Sequence, residues 1–254
     1  MCSFSFSLSN LRMLTYVQGM KIFEANMIRS CPEHVIWNEL LELNGKRIIE
    51  LGCGRAEITR LLATEGEGRS VAALEVDEIQ HNLHLKIDDM SNVEFRMAGA
   101  EAIPFPDNSF DVAFMFKSLH HVPLELMDQS FTEIHRVLKP GGYAYISEPV
   151  FAGDFNEVLR MFHDEEQVRL AAFEATKRAV DSGLFELASE TFFNSPMHFD
   201  DFADFEARIL GVTHTNHTLS PELYERVKAK FETHMTPYGA NFLMPIRIDL
   251  LRME

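Results

Sequence analysis

The chain predicts an α/β domain, a mostly parallel sheet covered by helices on both faces. Three observations point there. Short β-branched and apolar runs alternate with longer stretches of helical period through residue 150. Each intervening stretch is long enough to cross back between parallel strands. A length of 254 residues with 46% hydrophobic content supplies one sizeable core, so the expected organisation is a single domain over 1–254.

The strand candidates come in order: RIIEL at 47–51, SVAALEV at 70–76, VEFRM at 93–97, FDVAFMF at 110–116 and GYAYIS at 142–147. Helical spacing predicts crossovers near 56–65, 77–87 and 123–137. From 151 to 183 a charged stretch carries Phe155, Leu159, Phe162, Leu170 and Phe173 at helical spacing and stops at Gly183. Two late runs, ETFFNSPMHF and ANFLMPIRIDLL, complete seven strands. Between them SPELYERVKAKFETH opens a helix with Ser220 as cap and Pro221 at its first position.

Composition narrows the function classes. Lys and Arg number 23 against 39 Asp and Glu, a net charge of −16, which repels phosphate backbones and anionic lipid surfaces. No nucleic-acid or membrane partner is therefore expected. Three cysteines, Cys2, Cys31 and Cys53, make neither a disulfide framework nor a zinc pattern and suit a reducing, cytoplasmic compartment. The opening MCSFSFSLSN lacks the basic start and apolar core of a signal peptide and reads as a frayed end.

The stretch RIIELGCGRAEITRLL carries the first chemistry. A strand delivers Glu50, Gly52 and Gly54 permit a sharp turn, and a helix begins whose free N–H groups face a ligand. A dinucleotide loop needs a small sixth residue beside the pyrophosphate, and here that residue is Glu57. A phosphate-cradling P-loop fails for want of Gly-Lys-Ser/Thr. What remains is a ligand with an adenosine end and no phosphates.

With those residues in place, the chain resembles the class I S-adenosylmethionine-dependent methyltransferases, within the subgroup of quinone-biosynthesis and similar small-molecule enzymes. Four segments carry the resemblance over 47–149: ELGCGRA, Glu75 at the end of the second strand and 21 residues after Gly54, AGAEAIPFPDNSFDVAF, and VLKPGGYAYISEP. It implies a Rossmann-like seven-stranded sheet with the last strand antiparallel, S-adenosylmethionine as methyl donor and S-adenosylhomocysteine as product. It further implies that Glu50 with the backbone of Gly52, Cys53 and Gly54 holds the methionine portion. Glu75, with Val76 beside it, would take the ribose, a carboxylate being a natural bidentate acceptor for a diol. The family's adenine-binding Asp is replaced by Gly99, with Ala100 next, so that Glu101 or the backbone must serve. Lys117 falls on the sulfonium side, where a cation is unfavourable, and is expected to turn its charge away or contact the carboxylate.

Among the 11 histidines, His120 and His121 follow the fourth strand at the mouth where a methyl acceptor would sit, and are the candidate general bases. Glu148, ending the fifth strand, is another. His81 and His84 read as solvated helix residues. His214 and His217 have metal-pair spacing without a supporting constellation, so no metal is expected.

Acceptor choice is assigned to segments outside the resemblance: a helical N-terminal segment over 1–46, a helical cap over 151–183 inserted after the fifth strand, and C-terminal strands and helices over 184–254. Their Phe and Met content suits a small apolar or aromatic acceptor, each residue alone being equally readable as core. A non-catalytic binder of the same cofactor, an NAD-dependent oxidoreductase and a protein or RNA methyltransferase are the rival functions. Composition sets no oligomeric state.

Overall fold

The structure, a computed structural model, describes residues 19–213, 215 and 217–254. Its sheet runs in the order β3-β2-β1-β4-β5-β8-β6. The first five strands are β1 (Arg47–Leu51), β2 (Ser70–Glu75), β3 (Val93–Met97), β4 (Phe110–Phe116) and β5 (Leu138–Pro149), and their pairings with one another are all parallel. The last two long strands are β6 (Glu186–Phe199) and β8 (Gly239–Arg252). β8 inserts antiparallel between β5 and β6, which gives the seven-stranded path, and a two-residue β7 (Met235–Thr236) adds to it through a tight turn. β5 starts earlier than 142 because Leu138 already pairs with Phe110, after which the register shifts across the Pro-Gly-Gly segment.

Alternation along the strands divides the core between the two sheet faces. Ile49, Leu51, Ala113 and Met115 face α4 (Met127–Val137) and α6 (Glu166–Asp181), which contribute Phe131, Ile134, Ala172 and Ala175. Ile48, Val71, Phe114 and Phe116 face α1 (Glu33–Leu40) and α2 (Glu57–Thr64), with Trp37 fully buried against Phe114 and Phe116. On the outer side of β2, α3 (Glu78–His84) is capped by Asp77, whose carboxylate accepts from the N–H groups of Ile79 and Gln80.

The stretch 151–183 is two helices with different duties. Its longer part, α6, lies on the sheet beside α4, because Ala172, Ala175 and Ala179 allow close approach. The shorter part, α5 (Asp154–Leu159), joins α7 (Phe202–Phe205), α8 (Pro221–Glu232) and the outer ends of β6 and β8 in a separate cluster rich in phenylalanine. Phe155, Phe199, Phe202, Phe205, Phe231 and Phe242 pack there ring to ring, so this cap is cemented largely by aromatic edge-to-face contacts. Ser220 caps α8 through its hydroxyl, as its position before Pro221 requires. Within 19–46 the single helix is α1, and residues 1–18 lie outside the described residues. Among the described residues, no helix is long and apolar enough to cross a membrane.

Candidate active site

Carboxyl ends of the parallel strands converge on the glycine loop. Gly52 has φ +80°, and a Cβ on it would stand 2.7 Å from Cβ of Ser118, whose hydroxyl donates to the Leu51 carbonyl at 2.7 Å. The close approach of the loop to the turn after β4 therefore demands glycine twice over. Gly54, φ +51°, has open space where a Cβ would lie. Ala56, in the position of a third glycine, also adopts a left-handed conformation, with φ 61°, and begins α2.

Glu75 closes the loop. Its Oε2 accepts the Gly54 N–H at 2.6 Å, while its Oε1 accepts from Val76 and Asp77, each at 2.9 Å. Glu50 is buried and accepts the Thr59 hydroxyl at 2.6 Å. Burial pushes its carboxyl up to about 8, against the opposing pull of Thr59 and of the Lys117 charge, so at neutral pH it holds a proton. Val76 and Met97, at the ends of adjacent strands, are exposed and form an apolar shelf beyond Glu75. The Glu101 carboxylate folds back over Gly99, where any side chain would collide with it, and Ala100 is buried beside them.

Cys53 is buried beneath the loop, and burial raises its thiol well above the usual range, which makes it packing rather than a nucleophile. Here the structure corrects the reading of His84 as solvated. Its Nε2–H donates to the Gly54 carbonyl at 2.7 Å, Nδ1 lies 3.9 Å from the Cys53 sulfur, and the ring stacks on Phe95 at 4.7 Å. Burial lowers its pKa, in keeping with a neutral ring that props the loop from below. His81 and His84, three apart, share one face of this short helix, and because that face turns toward β3 His81 is half-buried and His84 fully buried, so neither is simply solvated.

Lys117 has a left-handed backbone, φ 54°, at the end of β4. Its ammonium turns away from the loop and pairs with Glu33 at 2.9 Å, at the first residue of α1.

His120 and His121 end up in different environments. His120 is buried, with Nδ1 bonded to Glu148 and Nε2 lying 3.5 Å from Glu165 Oε1. Burial alone would lower its pKa, but the two carboxylates outweigh it and lift it to about 9. Its protonated ring is thus no general base at neutral pH while both carboxylates hold it. His121 is exposed, its ring centroid 4.1 Å from that of His120. Sequence reading missed Glu165 and Arg169, which tie α6 into this cluster. Arg169 holds Glu165 Oε2 and also bonds Asn156 Oδ1 at 3.1 Å, a network joining residues far apart in the chain. His214 lies outside the described residues, so the 214/217 pair has no geometry here.

Beside Glu148 opens a cleft of about 390 Å³ lined by Ile22, Phe23, Val150, Phe151, Leu170 and Arg247, among others. Its walls are mostly apolar. Of the phenylalanines in the segments assigned to acceptor choice, Phe23 and Phe151 line this cleft, whereas Phe155, Phe199, Phe202 and Phe205 are core of the cap. The Arg247 guanidinium is buried over Phe173 and bonds Asp249 through Nε at 2.8 Å.

Strand order, glycine loop and acidic strand end together make a Rossmann-like α/β domain, and comparison with known proteins shows what it is similar to. Residues 49–146 match the model of a methyltransferase domain. Over 102 residues it is 32% identical to fatty-acid O-methyltransferase of Mycolicibacterium smegmatis, covering 40% of this chain and 36% of that protein. Over 126 residues it is 34% identical to demethylmenaquinone methyltransferase of Listeria welshimeri, covering 46% of this chain and 52% of that one. The chain thus spans about half or less of the length of these curated relatives. Among solved structures, a SAM-dependent methyltransferase from Methanosarcina mazei superposes with a TM-score of 0.53 at 17% identity, over 86% of this chain and 96% of that one. At that identity the likeness is one of fold.

Proposed function

We propose that the protein transfers a methyl group from S-adenosylmethionine to a small-molecule acceptor with an apolar or aromatic body. The observation that carries this reading is the Gly54–Glu75 clamp, which sets a carboxylate with spare acceptor capacity beside a loop whose Gly54 faces open space. The residues fit the cofactor. Glu75 is placed for the ribose hydroxyls, Val76 and Met97 for one face of the adenine, Glu101 for its amino group, and Glu50 for the methionine ammonium, whose charge would draw the proton off that carboxyl.

When bound, S-adenosylmethionine supplies an electrophilic methyl. The chain's own contribution is then alignment and exclusion of water, which in well-held systems contributes roughly 7–11 kcal/mol, and this matches an in-line displacement needing no protein nucleophile. Turning Lys117 onto Glu33 keeps its cation off the sulfonium. The apolar cleft beside Glu148 is the acceptor's place in this reading, with Ile22 and Phe23 of the N-terminal segment forming one wall.

Thermal unfolding with S-adenosylmethionine, S-adenosylhomocysteine and NAD tests it. At 100 times Kd a ligand adds roughly 2.7 kcal/mol, which raises the midpoint by a few degrees. A rise with the two sulfur ligands alone supports the reading. A rise with NAD, or with none, overturns it, and cofactor binding with no turnover across an acceptor screen would leave a binding protein.

A further inference from the structure

We propose that His120, His121 and Glu165 form a binding site for a divalent transition-metal ion at the edge of the acceptor cleft. One ligand atom from each lies within 4.8 Å of those of the other two. Two elements meet to make this possible: the 3₁₀ turn Leu119–His121 after β4 supplies both imidazoles, and the residue capping α6 supplies the carboxylate.

Three features favour an ion over a plain hydrogen-bonded pair. The His120 Nε2 to Glu165 Oε1 separation of 3.5 Å is long for a hydrogen bond to a carboxylate. It is close to the roughly 3.3 Å between two ligands of a tetrahedral ion with bonds of about 2.0 to 2.1 Å. The outer groups are those a metal-bound histidine uses. Glu148 engages His120 Nδ1 and is itself anchored by the Leu119 N–H at 2.9 Å, leaving Nε2 to present a lone pair inward when the ring is neutral. Glu165 is steadied by Arg169 on one oxygen and by His163 Nε2 at 2.9 Å on the other. Finally, two imidazoles with one carboxylate make a donor set suited to zinc, iron, manganese or cobalt rather than to calcium or magnesium.

Three protein ligands leave coordination positions open, which is the arrangement of a reactive rather than a structural site. Glu148 and Arg169, which bond His120 and Glu165, both line the cleft, so the site lies directly behind its wall and its open positions are within reach of a bound acceptor. An acceptor oxygen, of a phenol, enol or carboxylate, would bind there and lose its proton more readily. That last role rests on the methyl-transfer reading; the ion site does not.

The test is therefore run without S-adenosylmethionine. Tag-free full-length protein is titrated with Co²⁺, followed by its visible absorption, and then with Zn²⁺ in competition with a chromophoric chelator. Expected are one equivalent of ion and at least about tenfold weaker binding in both His121→Ala and Glu165→Gln. Glu148→Gln, acting through His120, should weaken it by about 10- to 100-fold, and His198→Ala, on an exposed residue away from the site, not at all. Absence of stoichiometric binding by the wild type overturns the proposal, as does binding that His121→Ala leaves unchanged. His121 is exposed, so that variant is expected to fold, and circular dichroism verifies each protein.

Discussion

Gly54 and Glu75 are bound to each other across 21 residues, the glycine's N–H donating to the carboxylate at 2.6 Å. This one bond ties the loop after β1 to the end of β2, and the same carboxylate holds the first turn after β2 through Val76 and Asp77. The residue that the resemblance assigns to the ribose is thus also the keystone of the loop.

Glu75→Ala would therefore strip three backbone donors of their acceptor, each costing about 1–3 kcal/mol if left buried, and should lower the melting temperature as well as the affinity. Glu75→Gln keeps one acceptor oxygen and most of the shape. It is expected to fold nearly as well yet bind S-adenosylmethionine at least about tenfold more weakly by calorimetry. Unchanged affinity in that variant would refute the ribose assignment.

Glu50 makes stability depend on pH. Its folded pKa of about 8 exceeds the ordinary 4.5, so the folded state binds the extra proton between those values. Stability from this group is then complete below about 4.5 and lost as pH rises to about 8. Compared with Glu50→Gln, the wild type should lose several degrees in melting temperature between about pH 5.5 and 8.5, with the gap constant above that. A gap that does not change with pH would show that the carboxyl is already charged when folded.

Gly52→Ala and Gly54→Ala should fail differently. At Gly52 the new Cβ meets Ser118 and the backbone is strained, so a loss of about 1–3 kcal/mol in urea unfolding is expected. At Gly54 the Cβ enters open space on the ligand side, so the stability loss should be smaller and cofactor binding should suffer most. Equal effects on both properties would mean that Gly54 does not face the ligand.

Ser220→Ala serves as a structural control. Removing the hydroxyl that accepts the Leu223 N–H should cost about 1 kcal/mol by denaturant titration and leave cofactor binding unaltered.

The glycine loop and the acid that closes it were legible in sequence because their signals are local. Near-continuous apolar runs specify β1, β2 and β4, two glycines mark the turn, and an acid at a strand end sits where open α/β sheets bind ligands. Even there the reading missed His84, since helical spacing alone does not say which face of a short helix meets the sheet.

The chain's sequence by itself determined a parallel α/β sheet, a glycine loop after its first strand, and the acid that closes it, all encoded within segments of a few residues. Tertiary structure alone decided that β8 slips between β5 and β6, that most of the phenylalanines build the cap rather than the cleft, and that Glu148, Glu165 and Arg169 surround His120. Those outcomes depend on which distant elements share the limited area of a sheet face or edge. Burial and the proton on His120 follow from that meeting, and neither has a signature in the residues on either side of it.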